Sequence, residues 1–251
     1  MKIENSVIIV TGASSGIGLS SARLLAKKGA RVVLAARSMQ HLEELSGELP
    51  GSLALATDMT HLDAVRAMVA KTVDHYGRVD VLVNNAGRGY EASLEGIEPT
   101  IFEEIFRLNV VGPVVAMQAV IPHMRAQRSG AIVNINSGTA LMKIPRLSAY
   151  SATKRALVGI SLTARVELEQ DGIVVSQVYP GLTATNFGEN RATSGPPRPE
   201  TQRHDFAGGD SPDYIAELIA RAIVEGEAEY FAHERMVEMD NRTLVSHASG
   251  V

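Results

Sequence analysis

The chain contains no cysteine and no tryptophan, and aromatic residues of every kind make up only 4% of its 251 positions. Without thiols there is no disulfide, no thiolate metal site and no cysteine nucleophile, a composition that fits a reducing compartment and makes the cytoplasm the expected location. Charge blocks are missing too. The 24 Lys and Arg are nearly balanced by 28 Asp and Glu, for a formal net charge of −4. A mildly acidic chain with interspersed charge has no electrostatic basis for binding nucleic acid or an anionic membrane. No uninterrupted apolar run approaches the ~18 residues of a membrane span. The opening Met1-Lys2-Ile3-Glu4-Asn5 has no apolar stretch of the signal-peptide kind.

What is present is a chain with 45% hydrophobic residues and 22 glycines, enough to bury a substantial core as one α/β domain over residues 1–251. The periodicity alternates. Strand-type runs are expected at 6–10, 31–36, 53–56, 79–83, 131–135, 173–179 and 229–232. Helical periods are expected at 19–28, 39–49, 62–75, 98–127, 148–170 and 212–225. Strands alternating with helices at this spacing imply a parallel sheet covered on both faces, with right-handed crossovers. The stretch 183–212, rich in Gly, Pro and Ser, reads as a long loop bounding a substrate.

Two places carry chemistry. In Tyr150-Ser151-Ala152-Thr153-Lys154 a phenol and an ammonium leave the same helix face four residues apart. A phenol titrates near pH ~10, and a neighbouring cation favours the phenolate, which makes the pair a proton-transfer device. Ser137 lies at the end of a strand-type run upstream, and Asn109 lies within the expected 98–127 helix. The second place is Gly12-Ala13-Ser14-Ser15-Gly16-Ile17-Gly18, between the first strand and first helix. Such a turn brings backbone N–H groups and a helix N-terminus to an anionic pyrophosphate. Its first five residues also fit the Gly-x-Ser-x-Gly elbow of serine hydrolases, with Ser14 as nucleophile. That fold takes an oxyanion donor from a loop after an earlier strand, and none precedes this one. The seven His show no metal-ligand pairing, so no metal is expected.

Taken in order, Thr11 to Gly18, Asp58, Asn84-Asn85-Ala86-Gly87, Asn109, Ser137, Tyr150, Lys154 and Pro180-Gly181 with Thr185 resemble the short-chain dehydrogenase/reductase family. The resemblance implies a Rossmann-type doubly wound parallel sheet of about seven strands with helices on both faces, and a nicotinamide cofactor across the carboxyl ends of the strands. It implies Tyr150 as proton donor and acceptor, Ser137 on the substrate oxygen, Lys154 on the tyrosine and the nicotinamide ribose, and Asn109 holding a water that feeds Lys154. It places the cofactor on Gly12, Ser14, Ser15, Gly16, Ile17 and Gly18, on Arg37 and Ser38, and on Asp58 and Met59. Further along, Asn85, Ala86, Gly87, Tyr150, Lys154, Pro180, Gly181, Thr183 and Thr185 complete that seat. Asp58 is equally readable as a residue starting a helix, Ser137 as a strand-end hydroxyl bonded to backbone, and Asn109 as a helix irregularity.

Cofactor choice has a physical argument. After the second strand the chain has Ala36-Arg37-Ser38, so a charged fork and no carboxylate meets the ribose 2′ position. This favours NADP(H), with NAD(H) possible. Ser15 is uncharged where some NADP-preferring relatives carry a second basic residue. The substrate side, at 138–147 with Leu182 and Phe187, suits an apolar ketone, aldehyde or alcohol, while Arg88, Lys143 and Arg146 read as solvated charges. The chain has Met239-Asp240-Asn241-Arg242 where many tetrameric relatives have a glycine-rich end. Homodimer and homotetramer both stay open, the former through the helices beginning at 98 and 148. A protein that binds NADP(H) as a sensor, without turnover, is the alternative of another class.

Overall fold

The computed structural model describes residues 1–183, 187–188, 190–197, 209–236 and 238. Its strands in chain order are β1 (Val7–Thr11), β2 (Arg31–Ala36), β3 (Leu53–Ala56), β4 (Val81–Asn84), β5 (Tyr90–Glu91), β6 (Gly130–Ile135), β7 (Ile173–Tyr179), β8 (Ala192–Thr193) and β9 (Glu229–Phe231). Seven of them form a parallel sheet in the order β3-β2-β1-β4-β6-β7-β9, and β5 pairs with β8 separately. The helices are α1 (Gly16–Lys27), α2 (Met39–Glu48), α3 (Leu62–Tyr76), α4 (Pro99–Phe106), α5 (Gly112–Gln127), α6 (Ser148–Leu168) and α7 (Pro212–Glu225).

The layers follow from the strand sequences. In β1 every residue is buried, because Ile8 and Val10 face α1, α2 and α7 while Val7 and Ile9 face the layer of α3, α5 and α6. A strand covered on both faces reads as a continuous apolar run, not an alternating one. The strand order reverses between β1 and β4, and at such a switch point the carboxyl ends of neighbouring strands open a crevice for a ligand. This is the expected doubly wound architecture.

Two features differ from the sequence expectation. The helix expected over 98–127 is interrupted by a π-helical turn, Arg107–Val111, between α4 and α5. One extra residue in the turn barely shifts the apolar period of the flanking helices, so periodicity alone hides it. The stretch Pro99–Gln127 also has the length and mean hydropathy (1.5) to cross a bilayer, with half of that window buried inside the protein. The second difference is β8, which falls inside the expected loop. Strands two residues long, Tyr90↔Ala192 and Glu91↔Thr193, carry no periodic signal.

Candidate active site

α6 brings Tyr150 and Lys154 to the end of β6. Both are buried, at 6% and 5% exposure, and Lys154 Nζ lies 5.9 Å from the centroid of the Tyr150 ring. Nζ donates to Ile135 O at 2.8 Å, the last residue of β6. Ser137 lies two residues further on, its Oγ accepting from Thr139 N at 3.2 Å and Thr139 Oγ1 at 3.0 Å. It therefore caps the short turn Gly138–Ala140, and it also hydrogen-bonds the Tyr150 hydroxyl.

Ionisation here is ruled by burial. Loss of water pushes the Tyr150 phenol above its usual range, and the Ser137 hydrogen bond draws it partly back. The same burial lowers the Lys154 amine from 10.5 to about 8. Both groups sit in one desolvated pocket, and the phenol's downward pull comes from Ser137.

Asn109 is 1% exposed and lies in the π-helical turn. Its Oδ1 accepts from Arg88 N at 2.9 Å, and its Nδ2 donates to Arg88 O at 3.0 Å and to Thr153 Oγ1 at 3.1 Å. The turn aims this side chain at α6 and at the segment after β4. Gly87 separates it from Lys154, since a Cβ there would meet Asn109 Oδ1 at 3.1 Å and Lys154 Nζ at 3.7 Å. Both the irregular-helix reading of Asn109 and its nearness to Lys154 are thus present.

At the other end, the turn Gly12–Gly18 is closed onto β4. Thr11 Oγ1 accepts from the N–H groups of Asn85 and Ala86, each at 3.0 Å, and Asn85 Nδ2 donates to Thr11 O at 2.8 Å. Gly12 has a φ of 68°, and a Cβ on Gly18 would fall 2.1 Å from Gly12 O. Only glycine fits there. α1 begins after Ser15 with no side-chain cap and no acid in its first turn. Its free N–H groups form an open, electropositive cradle, and that fits a pyrophosphate.

The comparisons with known proteins agree with this geometry. A family model described as short chain dehydrogenase matches residues 6–194. The "Dehydrogenase/reductase SDR family member 7B" of Bos taurus is 33% identical over 231 residues, 88% of this chain and 71% of that protein. This chain belongs to the short-chain dehydrogenase/reductase family. A solved 3-ketoacyl-(acyl-carrier-protein) reductase from Brucella melitensis, complexed with NADH, is 29% identical with a TM-score of 0.82, covering 92% of this chain and 97% of its own. A metagenomic short-chain oxidoreductase in complex with NADP is 31% identical with a TM-score of 0.76, covering 92% and 98%. The short-chain dehydrogenase described here is accordingly an NAD(P)-dependent oxidoreductase acting on CH–OH and C=O groups.

Within the dehydrogenase the remaining expected residues divide. Asn85 spends its amide on the glycine turn, so its part is to hold the cradle. Ser38 caps α2, accepting from His41 N at 3.5 Å, while Arg37 is exposed at the end of β2. Asp58 accepts from Thr60 N and Thr60 Oγ1, both at 2.8 Å, in the turn ahead of α3; His61 is the residue that precedes the helix, so Asp58 does not start it. Burial pushes the Asp58 carboxyl up, but the Thr60 hydrogen bonds and the charges of His61 and Arg37 bring it below the usual range. Met59 is a core residue, and Ala86 packs against the same core. Thr183 bridges to Asp210, Gly138 N donates to Pro180 O at 2.9 Å, and Thr185 lies outside the described residues. The segment 239–242, on which tetramer formation was judged, lies outside them too. Among the described residues no cluster could hold a metal ion.

Sequence reading missed the residues over the site. Arg146, expected to be solvated, is 11% exposed and paired with Glu91 at 3.2 Å. Arg88 Nε donates to Asn190 O at 2.8 Å. The His233–Asp210 pair, at 3.2 Å beside Gly181, also went unseen, because 23 residues separate its partners.

Proposed function

We propose that the enzyme interconverts an apolar ketone or aldehyde and its alcohol, with Tyr150 as acid and base and NADP(H) as the preferred cofactor. The observation that carries this is the buried phenol, hydrogen-bonded to Ser137 and flanked by Lys154. The glycine turn and the free N-terminus of α1 would hold the pyrophosphate, and Arg37 the 2′-phosphate. When bound, the reduced nicotinamide supplies the hydride. Tyr150 Oη gives its proton to the carbonyl oxygen, and Ser137 holds that oxygen while negative charge develops on it. Lys154, with a pKa of about 8, is largely protonated at neutral pH and returns a proton to the phenolate. Asn109, facing the space beside Gly87, orders the water that recharges Lys154. The protein acts as a homodimer in this reading.

Comparing kcat/KM for NADPH and NADH across a panel of ketones and aldehydes tests it, with Arg37→Ala beside the wild type. We expect preference for NADPH, reduced roughly tenfold or more in the variant, the worth of one charge-assisted contact. Unchanged preference would remove Arg37 from the site. Tight NADPH binding with no turnover on any carbonyl would leave the sensor.

A further inference from the structure

Glu91, on β5 with 7% of its side chain exposed, meets Arg146 Nε at 3.2 Å on one carboxylate oxygen and Arg191 Nε at 3.1 Å on the other. A buried carboxylate survives only with such partners. Arg146 also donates to Pro196 O at 2.7 Å, so one clamp spans β5, the 138–147 segment and the strap 190–197. The backbone joins in. Ala192 N–H donates to Gly89 O at 2.9 Å, Ser194 N–H donates to Glu91 O at 3.3 Å, and Tyr90 Oη and Ser194 Oγ lie 2.5 Å apart. Arg146 takes a φ of 69°, a left-handed conformation unfavourable for a residue with a side chain, and its carbonyl accepts from Ala92 N–H at 2.9 Å. Strain there persists because the surrounding contacts over-determine it.

Just before the strap comes Phe187. Its ring centroid stands 5.9 Å from that of Tyr150 at an interplanar angle of 55°. Its edge lies over Gly89, where an added Cβ would come within 3.2 Å of Cε1. The proposed chemistry uses neither this ring nor the three charges.

We infer that Phe187 determines specificity and that Glu91 is the positioning residue behind it. The Glu91–Arg146–Arg191 clamp fixes the strap so that Phe187 stands as a preformed aromatic wall beside Tyr150. That wall favours carbonyl compounds whose aryl or alicyclic group lies flat against it. The inference rests on the proposed reductase reading and adds the substrate class.

The test uses Phe187→Ala and Arg191→Gln, the latter at a half-exposed position where folding survives, with the double variant. Backbone hydrogen exchange at Ala192 and Ser194 should accelerate at least about tenfold in Arg191→Gln and stay unchanged in β6. Both single variants should lower the ratio of kcat/KM for an aryl ketone over a small aliphatic ketone by about tenfold or more, mainly through KM. The double variant should do no more than Phe187→Ala alone, since Arg191 acts through the ring. Multiplying effects, or an equal loss on all ketones, would overturn the positioning role. Unchanged exchange overturns the clamp alone. A wild-type protein that reduces no ketone overturns the site reading and Phe187's part together, while the exchange result still decides the clamp.

Discussion

Tyr150 and Lys154 share one dry pocket, and burial moves their titrations in opposite directions. For Lys154 the folded value of about 8 lies below the ordinary 10.5. Between these pH values the unfolded chain binds the extra proton, so stability rises with pH across the window. Below pH 8 the full cost of a buried ammonium is present, on the order of 3 kcal/mol from the size of the shift. Above pH 10 the raised Tyr150 phenol works the other way, because the unfolded chain then loses a proton that the folded one keeps. Lys154→Met should therefore be more stable than wild type at pH 7, with the gap narrowing between pH 8 and 10. Thermal melts of both proteins across that range check it, and a constant gap would contradict the buried-charge account. At this scale the sequence shows which residues meet, because spacing in one helix is local. It does not show their ionisation, since solvent exclusion depends on β6, the π-helical turn and the strap together.

The element that matters most is the junction of β1, the glycine turn and β4, and Thr11 is its pin. Thr11 is fully buried, accepts two backbone N–H groups and donates to Val83 O at 3.3 Å. Thr11→Val keeps the shape and removes the oxygen. It should cost about 1–3 kcal/mol for each N–H left unpaired and weaken cofactor affinity, as the cradle loosens. Denaturant melts and NADPH titration read both effects, and unaltered binding at lowered stability would confine Thr11 to the fold. Glycine spacing made the turn legible in advance, but the bonds from Asn85 cross 74 residues of sequence and no local pattern encodes them. The π-helical turn around Asn109 was hidden for a related reason. One inserted residue barely disturbs an apolar period, yet it redirects a side chain.

For the whole molecule, the alternation of buried strands and amphipathic helices was enough to show a parallel sheet covered on both faces, because a strand such as β1 that is apolar throughout demands cover on both sides, while the strand order came only with the structure. The β5–β8 pair escaped, being held by Glu91, Arg146 and Tyr90 and not by hydrophobic pattern. α6 still exposes Leu162 at 37% and Val166 at 73%, one helical turn apart on one face. The proposed dimer would cover them. Val166→Glu should shift the mass seen by light scattering from dimer to monomer, and an undiminished dimer would take α6 out of the interface.

The central claim is that the Tyr150 phenol moves the proton. Single-turnover oxidation of NADPH with a good ketone, comparing wild type and Tyr150→Phe, tests it most directly. The variant should bind NADPH within about twofold of wild type and react at least ~10²-fold more slowly, the usual worth of a positioned acid. A variant that binds NADPH and keeps a tenth or more of the wild-type rate would contradict it.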